Sequence, residues 1–390
     1  MQEFQCKTFR FTGSVLGKAA RKTIKKKYRS NYIWIGDKAS DHRLEGYAAA
    51  IMCEFPKRIL GQKSKGIPLA ISTSSLNEIE NDDVLLIDPQ KELITTLYDK
   101  SSNHNAIFVT ARCNCACIMC PQPPRPDAEG QNDINKRLIQ LMAPGPDSLA
   151  LTGGEPTILG NELISLIEDC RVKMPETRLL LLTNARKLKD LSYVDSLASA
   201  GHPKLSVAVS LYADTEEEHD EIMGVKGAFK ETIQGLHNLA LYELPVEIRI
   251  VIMSMNYMRL IKLADFIYRN LAFACHVVFM GMETCGTAQE NLDRIWVDPY
   301  EYRKELLEAC KFLNQRSMLI SIYNHELCVV PEDLWPIARK SISDWKNVYL
   351  DVCDECNLKG QCGGFFASAI IKHSTHICPH KIKSEVDGAS

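Results

Sequence analysis

Long apolar runs are what this chain most plainly lacks. Nowhere in its 390 residues does an uninterrupted apolar stretch approach the roughly 20 residues that a membrane-crossing helix needs. The opening "MQEFQCKTFRFTGSVLGKAARK" has no apolar signal-peptide core, and no lipidation signature closes the chain. No membrane partner is expected, and a cytoplasmic location is. Aromatic residues make up only 7% and the formal net charge is only -3, so the charge balance implies no special partner. Low-complexity segments and fixed-period repeats are also missing, which argues against a solenoid. With 45% apolar residues the chain has enough to bury a core, and its length predicts one large domain with smaller additions.

Cysteine is not scarce: there are 15. In a small secreted chain that number would mean disulfides, but in a reducing compartment isolated thiols are small hydrophobes. Cys6, Cys53, Cys170 and Cys310 read in that way. Two groups are different in kind. One is "ARCNCACIMCPQPP", with Cys113, Cys115, Cys117 and Cys120. The other is Cys353, Cys356 and Cys362, with Cys328 upstream and Cys378 downstream.

The pattern divides the chain in three. Residues 1–100 read as a small module of mixed α/β pattern, with "NYIWIGD" and "DDVLLIDP" as strands and "LEGYAAAIMCEF" as a helix. Within it Lys18, Arg21, Lys22, Lys25, Lys26, Lys27 and Arg29 form a basic run, read first as a solvated face and second as a track for phosphates or an acidic peptide. Over residues 101–290, "AIFVTA", "SLALTGG", "RLLLLTN", "LSVAVSL", "VEIRIVIM" and "HVVFMGM" alternate with segments of helical period such as "ELISLIEDCRVKM". These six units predict an α/β fold, a sheet or barrel of parallel strands buried on both faces, with its chemistry at the carboxyl ends of the strands. Residues 291–390 read as a distinct cysteine-rich extension.

The first cysteine group directly follows the first of these strands. Cys113, Cys117 and Cys120 are spaced C-x3-C-x2-C, so a compact loop can aim three thiolates at one [4Fe-4S] cubane and leave its fourth iron open. A structural zinc would need a fourth ligand from Cys115, and four thiols so close in sequence suit one tetrahedral ion poorly. In the extension, Cys328 with Cys353, Cys356 and Cys362 (C-x2-C-x5-C) suits either a structural zinc or a fully ligated cluster. Spacing alone does not choose between them. Gly363 and Gly364 permit a tight turn with amides aimed at sulfur.

C-x3-C-x2-C after a first barrel strand resembles the signature of the radical S-adenosylmethionine (radical SAM) superfamily. That resemblance implies a partial (β/α)6 barrel and a cluster-bound S-adenosylmethionine, with Gly153, Gly154 and Glu155 of "LTGGEPTI" meeting its methionine amino group. It also implies Thr183, Asn184 and Ser210 near the cofactor and Met119, where the family usually has an aromatic residue, near the adenine. Cys115 reads as a bystander. C-x2-C-x5-C resembles the twitch/SPASM extensions of peptide-modifying radical enzymes, without their next cysteine because Phe366 stands there. One auxiliary [4Fe-4S] cluster is then implied, with zinc as the alternative occupant.

"CNCACIMCPQPP", "SISDWKN" and "CGGFFAS" together resemble the His-Xaa-Ser system radical SAM maturases (HxsC). The implied function is reductive cleavage of S-adenosylmethionine to modify a ribosomally made precursor peptide, with a companion radical SAM maturase and an electron donor as partners. The rival readings are a radical enzyme acting on RNA or a nucleotide, and a non-catalytic metal-stabilised scaffold.

Overall fold

A computed structural model of the chain describes residues 2–36, 44–53, 67–126, 131–142, 144–342 and 346–381. Part of "SISDWKN", Ser343 to Trp345, lies outside the described residues.

Among the described residues the N-terminal module is mainly strand, with a 3-10 helix over Lys26–Asn31, where a mixed α/β pattern was expected. β1 (Glu3–Phe9), β2 (Val15–Ala20), β3 (Tyr32–Ile35), β4 (Ala49–Met52), β5 (Leu69–Ser72), β6 (Val84–Asp88) and β7 (Leu93–Tyr98) close into a barrel in the order β1-β5-β4-β3-β2-β6-β7. β7 returns to pair with β1, Glu3 opposite Thr95. Phe4, Cys6, Ile33, Ile51, Leu85, Ile87 and Ile94 fill the interior. The helix expected over "LEGYAAAIMCEF" is not formed: Ala49–Met52 is a strand whose four residues are all buried, with parallel partners in β3 and β5. Pairing on both sides overrides the helix preference of alanine.

A second, larger sheet follows. Its strands are β8 (Asn105–Thr110), β9 (Ser148–Gly153), β10 (Arg178–Thr183), β11 (Leu205–Ser210), β12 (Val246–Val251), β13 (His276–Met280), β14 (Ile320–Tyr323) and β15 (Ala338–Arg339). They lie in sequence order, every neighbouring pair parallel. The connecting helices are α1 (Asn132–Met142), α2 (Asn161–Lys173), α3 (Leu191–Ser199), α4 (Glu216–Met223), α5 (Ala228–Leu241), α6 (Leu260–Asn270), α7 (Thr287–Glu290), α8 (Leu292–Ile295) and α9 (Arg303–Asn314). The chain thus has a mixed α/β fold.

The sequence pattern stopped at the sixth strand, and the sheet does not. β14 and β15 extend it, because "ISIY" is short and carries Ser321 at its centre, so it lacks the apolar run that marked the others. The two faces of the sheet also differ. Val246, Ile248 and Ile250 of β12 are buried in the main core beneath the helices, while Glu247 and Arg249 between them are half-buried on the other face. Leu179 and Leu181 are buried likewise, with Leu180 and Leu182 between them only half-buried, whereas Ala208 of β11 and Val278 of β13 are buried on that second face too, so burial on both faces holds only in part. Past the sheet, β16 (Asn347–Val348) pairs antiparallel with β17 (Phe365–Phe366). This small ribbon carries the second cysteine group.

Candidate functional site

Main-chain hydrogen bonds hold the first cysteine loop from two sides. The carbonyls at the end of α4 accept from it, Met223 from the Ala116 amide (3.1 Å) and Ile222 from the Ile118 amide (3.1 Å). From the other side the Thr287 amide donates to the Cys120 carbonyl (2.9 Å), and Asn291 Nδ2 to that of Ile118 (3.2 Å). Gly224, with φ +65°, ends α4 at the point of closest approach, where a Cβ would lie 2.5 Å from the Ala116 oxygen. No other residue fits there without moving the loop. Beneath it, Met119 and Cys115 pack with Tyr212, Ile222, Met223 and Met253.

The Gly-Gly-Glu loop at the end of β9 is bonded to the same segment. The Gly154 amide donates to the Thr110 carbonyl (2.7 Å) and the Glu155 amide to that of Arg112 (2.8 Å). A Cβ on Gly154 would meet the Arg112 oxygen at 2.2 Å, so the side chain is absent for the sake of this approach.

Glu155 itself is 1% exposed. Its Oε1 accepts from the Thr157 amide (3.0 Å), the Thr157 hydroxyl (2.6 Å) and the Thr183 hydroxyl (2.6 Å), and its Oε2 from the Asn184 amide (2.7 Å). Burial pushes this carboxyl above the usual range, against four hydrogen bonds that favour the anion. Glu155, Thr183 and Asn184 therefore form one internal tie between the ends of β9 and β10. Asn184 also reaches the cysteine loop, its Nδ2 donating to Asn114 Oδ1 (2.7 Å) and lying 3.3 Å from Cys115 Sγ. Arg186, which the sequence reading passed over, donates to the Asn114 carbonyl (2.5 Å), lies 3.5 Å from the Cys115 sulfur and pairs with Glu231 (2.7 Å). Ser210 stands one strand away, with its hydroxyl toward Tyr212.

Among the described residues no three His, Cys, Asp or Glu side chains close on one point at metal-ligand distance. The Cys113 and Cys117 thiols each contact that of Cys115, and Cys120 Sγ turns to the Gln122 carbonyl (3.1 Å). Contact with Cys115, then burial, raises the Cys113 thiol; burial raises that of Cys120. The donor chemistry fits a cluster, since three soft thiols share one clasped loop. Ligation would require them to ionise and turn away from Cys115 and Gln122.

The second group also gathers thiols from separate segments. The Gly364 amide, at φ +67°, lies 3.4 Å from Cys362 Sγ, the His380 amide lies 3.3 Å from Cys356 Sγ, and the Leu327 amide points at Cys362. The Cys378 amide points at Cys328 Sγ. Amides aimed at sulfur suit thiolates. Cys378 was left out of the predicted ligand set; the structure places it against Cys328, making five thiols where four were expected. Its place in the chain, just past a C-x2-C-x5-C group, was the available signal.

A cleft opens where the ends of the later strands meet the extension. It is lined by the ends of β12 to β14 (Ile252, Met282, Asn324), by Trp296 and Glu326, and by Phe366 and Lys372 of the extension. Thr284 Oγ1 donates to the Ser368 carbonyl (3.1 Å), and Lys346 pairs with Glu283 (3.2 Å), bracing the extension against the sheet. Burial, then the charge of Asp298, pushes the Glu326 carboxyl up to about 7.

The basic run is only partly free to meet a ligand. Arg21 donates to the Ile79 (2.9 Å) and Leu76 carbonyls, and Arg29 donates to those of Ile24 (2.9 Å) and Glu45 (2.9 Å). Lys26 pairs with Glu45 (3.0 Å). Two of its arginines are thus structural clamps. No helix among the described residues is long and apolar enough to cross a membrane.

Part of the chain is similar to known proteins. Residues 107–267 match the Radical SAM superfamily. An AdoMet-dependent heme synthase of Methanosarcina barkeri is 29% identical over 208 residues, 50% of this chain and 57% of that protein. A GTP 3',8-cyclase of Petrotoga mobilis is 27% identical over 165 residues, 40% of this chain and 49% of that protein. Among solved structures, Streptococcus suis SuiB bound to S-adenosylmethionine matches with a TM-score of 0.47 at 21% identity, over 56% of this chain and 49% of that one. The match thus spans only about half of these proteins. The chain carries a domain of the radical SAM superfamily.

Proposed function

We propose that this chain is a radical SAM enzyme that modifies a ribosomally made precursor peptide, as a maturase of the His-Xaa-Ser type working with a companion radical SAM maturase and an electron donor. In this reading Cys113, Cys117 and Cys120 would hold a [4Fe-4S] cluster with one iron open to S-adenosylmethionine. When bound, cluster and cofactor supply a 5'-deoxyadenosyl radical on one-electron reduction, able to take hydrogen from an unactivated carbon. The observation that carries the proposal is the junction of the two motif loops: the cysteine loop and the Gly-Gly-Glu loop share main-chain hydrogen bonds at the carboxyl end of the sheet. The other assignments follow from position. Gly153 and Gly154 bring the backbone close, and the free lone pair of Glu155 Oε2 is the anionic acceptor for an ammonium group. Asn184 holds Asn114 and Cys115 in place. Met119 and Ser210 are the contacts proposed for adenine and ribose.

The peptide reading rests on the resemblance of the cysteine loop and the extension to peptide maturases, and on a cleft that runs between sheet and extension. Four of the five extension thiols would hold an auxiliary [4Fe-4S] cluster, with zinc as the alternative. The test is anaerobic reconstitution, followed by mass spectrometry of a His-Xaa-Ser precursor peptide incubated with S-adenosylmethionine and dithionite. A mass change with production of 5'-deoxyadenosine is expected; cofactor cleavage with no change in any peptide would refute the peptide substrate. The identity to GTP 3',8-cyclases favours a second reading, a nucleotide substrate, for which GTP replaces the peptide in the same assay.

A further inference from the structure

The second face of the large sheet carries a polar cluster that the proposed cofactor chemistry does not use. In register, Glu247 of β12 stands opposite His276 of β13, and Arg249 opposite Val278, which in turn faces Ser321 of β14. One pleat on, Tyr323 stands opposite Arg339 of β15. Ionisable groups within a sheet are costly unless they are bonded. Glu247 Oε2 accepts from His276 Nδ1 (2.8 Å), His276 Nε2 lies 3.0 Å from the Ser321 hydroxyl, and Glu247 Oε1 accepts from Arg249 Nε (2.6 Å). Burial would raise the Glu247 carboxyl, but the contacts with His276 and Arg249 outweigh it and hold it below its usual range. Glu247 is thus an anion with both oxygens engaged.

Arg249 is only half engaged. Its Nε is tied to Glu247, whose other oxygen belongs to His276, so among the described residues its two Nη groups bond nothing. The guanidinium stands 5.8 Å from the centre of the Tyr323 ring, and the side chain is 19% exposed. It is held at one edge and open at the other, and a guanidinium edge matches a planar carboxylate. The charges that act on Tyr323 are those of Glu247, Arg249 and Arg339. Arg339 donates to the Pro336 (2.8 Å) and Ala338 (3.0 Å) carbonyls, and among the described residues no acid pairs with it. Two guanidiniums to one carboxylate leave one positive charge unbalanced, which suits a single anion and not the several charges of a polyphosphate. The place also adjoins the proposed reaction centre: Arg249 is opposite Ser210 in β11, and the Leu211 amide donates to the Arg249 carbonyl (3.0 Å).

We propose that this face binds a carboxylate of the substrate, with the Nη groups of Arg249 as its donors and the Tyr323 ring beside them. This deepens the peptide reading and rests on it for the source of the carboxylate, an acidic side chain or a C-terminus; the charge preference itself is measured without a peptide substrate. A carboxylate held one strand from Ser210 would fix which part of the substrate lies near the cofactor. Arg249 is a specificity-determining residue in this account.

The test uses the full, anaerobically reconstituted chain, with binding followed by saturation-transfer NMR or calorimetry. The probes are N-acetyl-aspartate methylamide for a side-chain carboxylate, N-acetyl-alanine for a C-terminal one, the neutral N-acetyl-asparagine methylamide, and inorganic pyrophosphate. One of the two carboxylates should bind at least about tenfold tighter than the neutral probe, a difference of about 1.4 kcal/mol, and tighter than pyrophosphate; the one preferred identifies the source. Arg249→Gln should erase the difference, with iron content and circular dichroism unchanged. Arg249→Lys keeps the charge and loses the planar fork, so it should retain part of the difference, and it carries the comparison if the glutamine variant does not fold. The proposal is overturned if the unaltered chain prefers neither carboxylate or if the preference survives Arg249→Gln. It is overturned equally if pyrophosphate binds tightest and Arg249→Gln removes that binding, the result a nucleotide substrate would give. If the carboxylate preference depends on Arg249 but no peptide is modified, the carboxylate site stands and the peptide reading falls.

Discussion

At the scale of single residues, Glu155 carries the sharpest prediction. Four donors converge on a carboxylate that is 1% exposed. Glu155→Gln replaces an acceptor by an NH2 group, and whichever way the amide turns it faces a donor. The variant should lose about 1–3 kcal/mol of stability in urea unfolding, with S-adenosylmethionine binding weakened at least about tenfold in the folded fraction. Full stability with weakened binding would place Glu155 at the cofactor alone. Loss of stability with unchanged binding would make it a structural tie alone. Cys378 is the second case. If it completes the auxiliary site in place of Cys328, Cys378→Ala should strip the second metal or cluster while Cys328→Ala leaves it, as read by metal analysis and absorbance of the two variants side by side. The sequence carried Cys378 in plain view, but spacing does not say which of five thiols share a site, since the fold brings Cys328 and Cys378 together from opposite ends of the extension.

At the scale of elements, the end of α4 is what shapes the cysteine loop, and its last turn is the place to disturb it. Gly224→Ala puts a methyl 2.5 Å from the Ala116 oxygen, at a φ of +65° that alanine adopts poorly. The loop must shift, so iron incorporation at the triad should fall by at least half while the secondary structure seen by circular dichroism stays. Normal incorporation would show that the loop takes its form from its own sequence. All six long strands were legible because each is an apolar run bounded by turn residues. Of the barrel strands, β3 and β6 were legible as "NYIWIGD" and "DDVLLIDP", while the other five, with β14 and β15, were harder to read: "ISIY" is interrupted by serine, and "AAIM" owes its extended form to neighbours far away in the chain. Propensity reads local preference, and these elements are set by pairing partners.

At the scale of the whole molecule, the extension is braced against the sheet by Thr284–Ser368 and Lys346–Glu283 contacts, and the metal count decides between readings of that extension. Reconstituted protein should hold about eight irons per chain, four for each cubane. Changing Cys113, Cys117 and Cys120 together to Ala should leave about four. About four irons with one zinc in the unaltered chain would assign the extension to zinc and leave the first site untouched. The motif loops could be read from sequence because their residue types and spacing are chemical. The cleft could not, since Ile252, Trp296, Asn324 and Phe366 belong to no shared sequence pattern and meet only in three dimensions. The N-terminal barrel adds a last constraint. Because β7 pairs back onto β1, the ring of hydrogen bonds is complete and offers no open strand for a guest to join. A leader peptide held by this module could not be captured as an extra strand, the way many peptide-binding sheets work. It would have to lie against side chains on the outer wall or in the loops, and its amides would keep exchanging with solvent while bound.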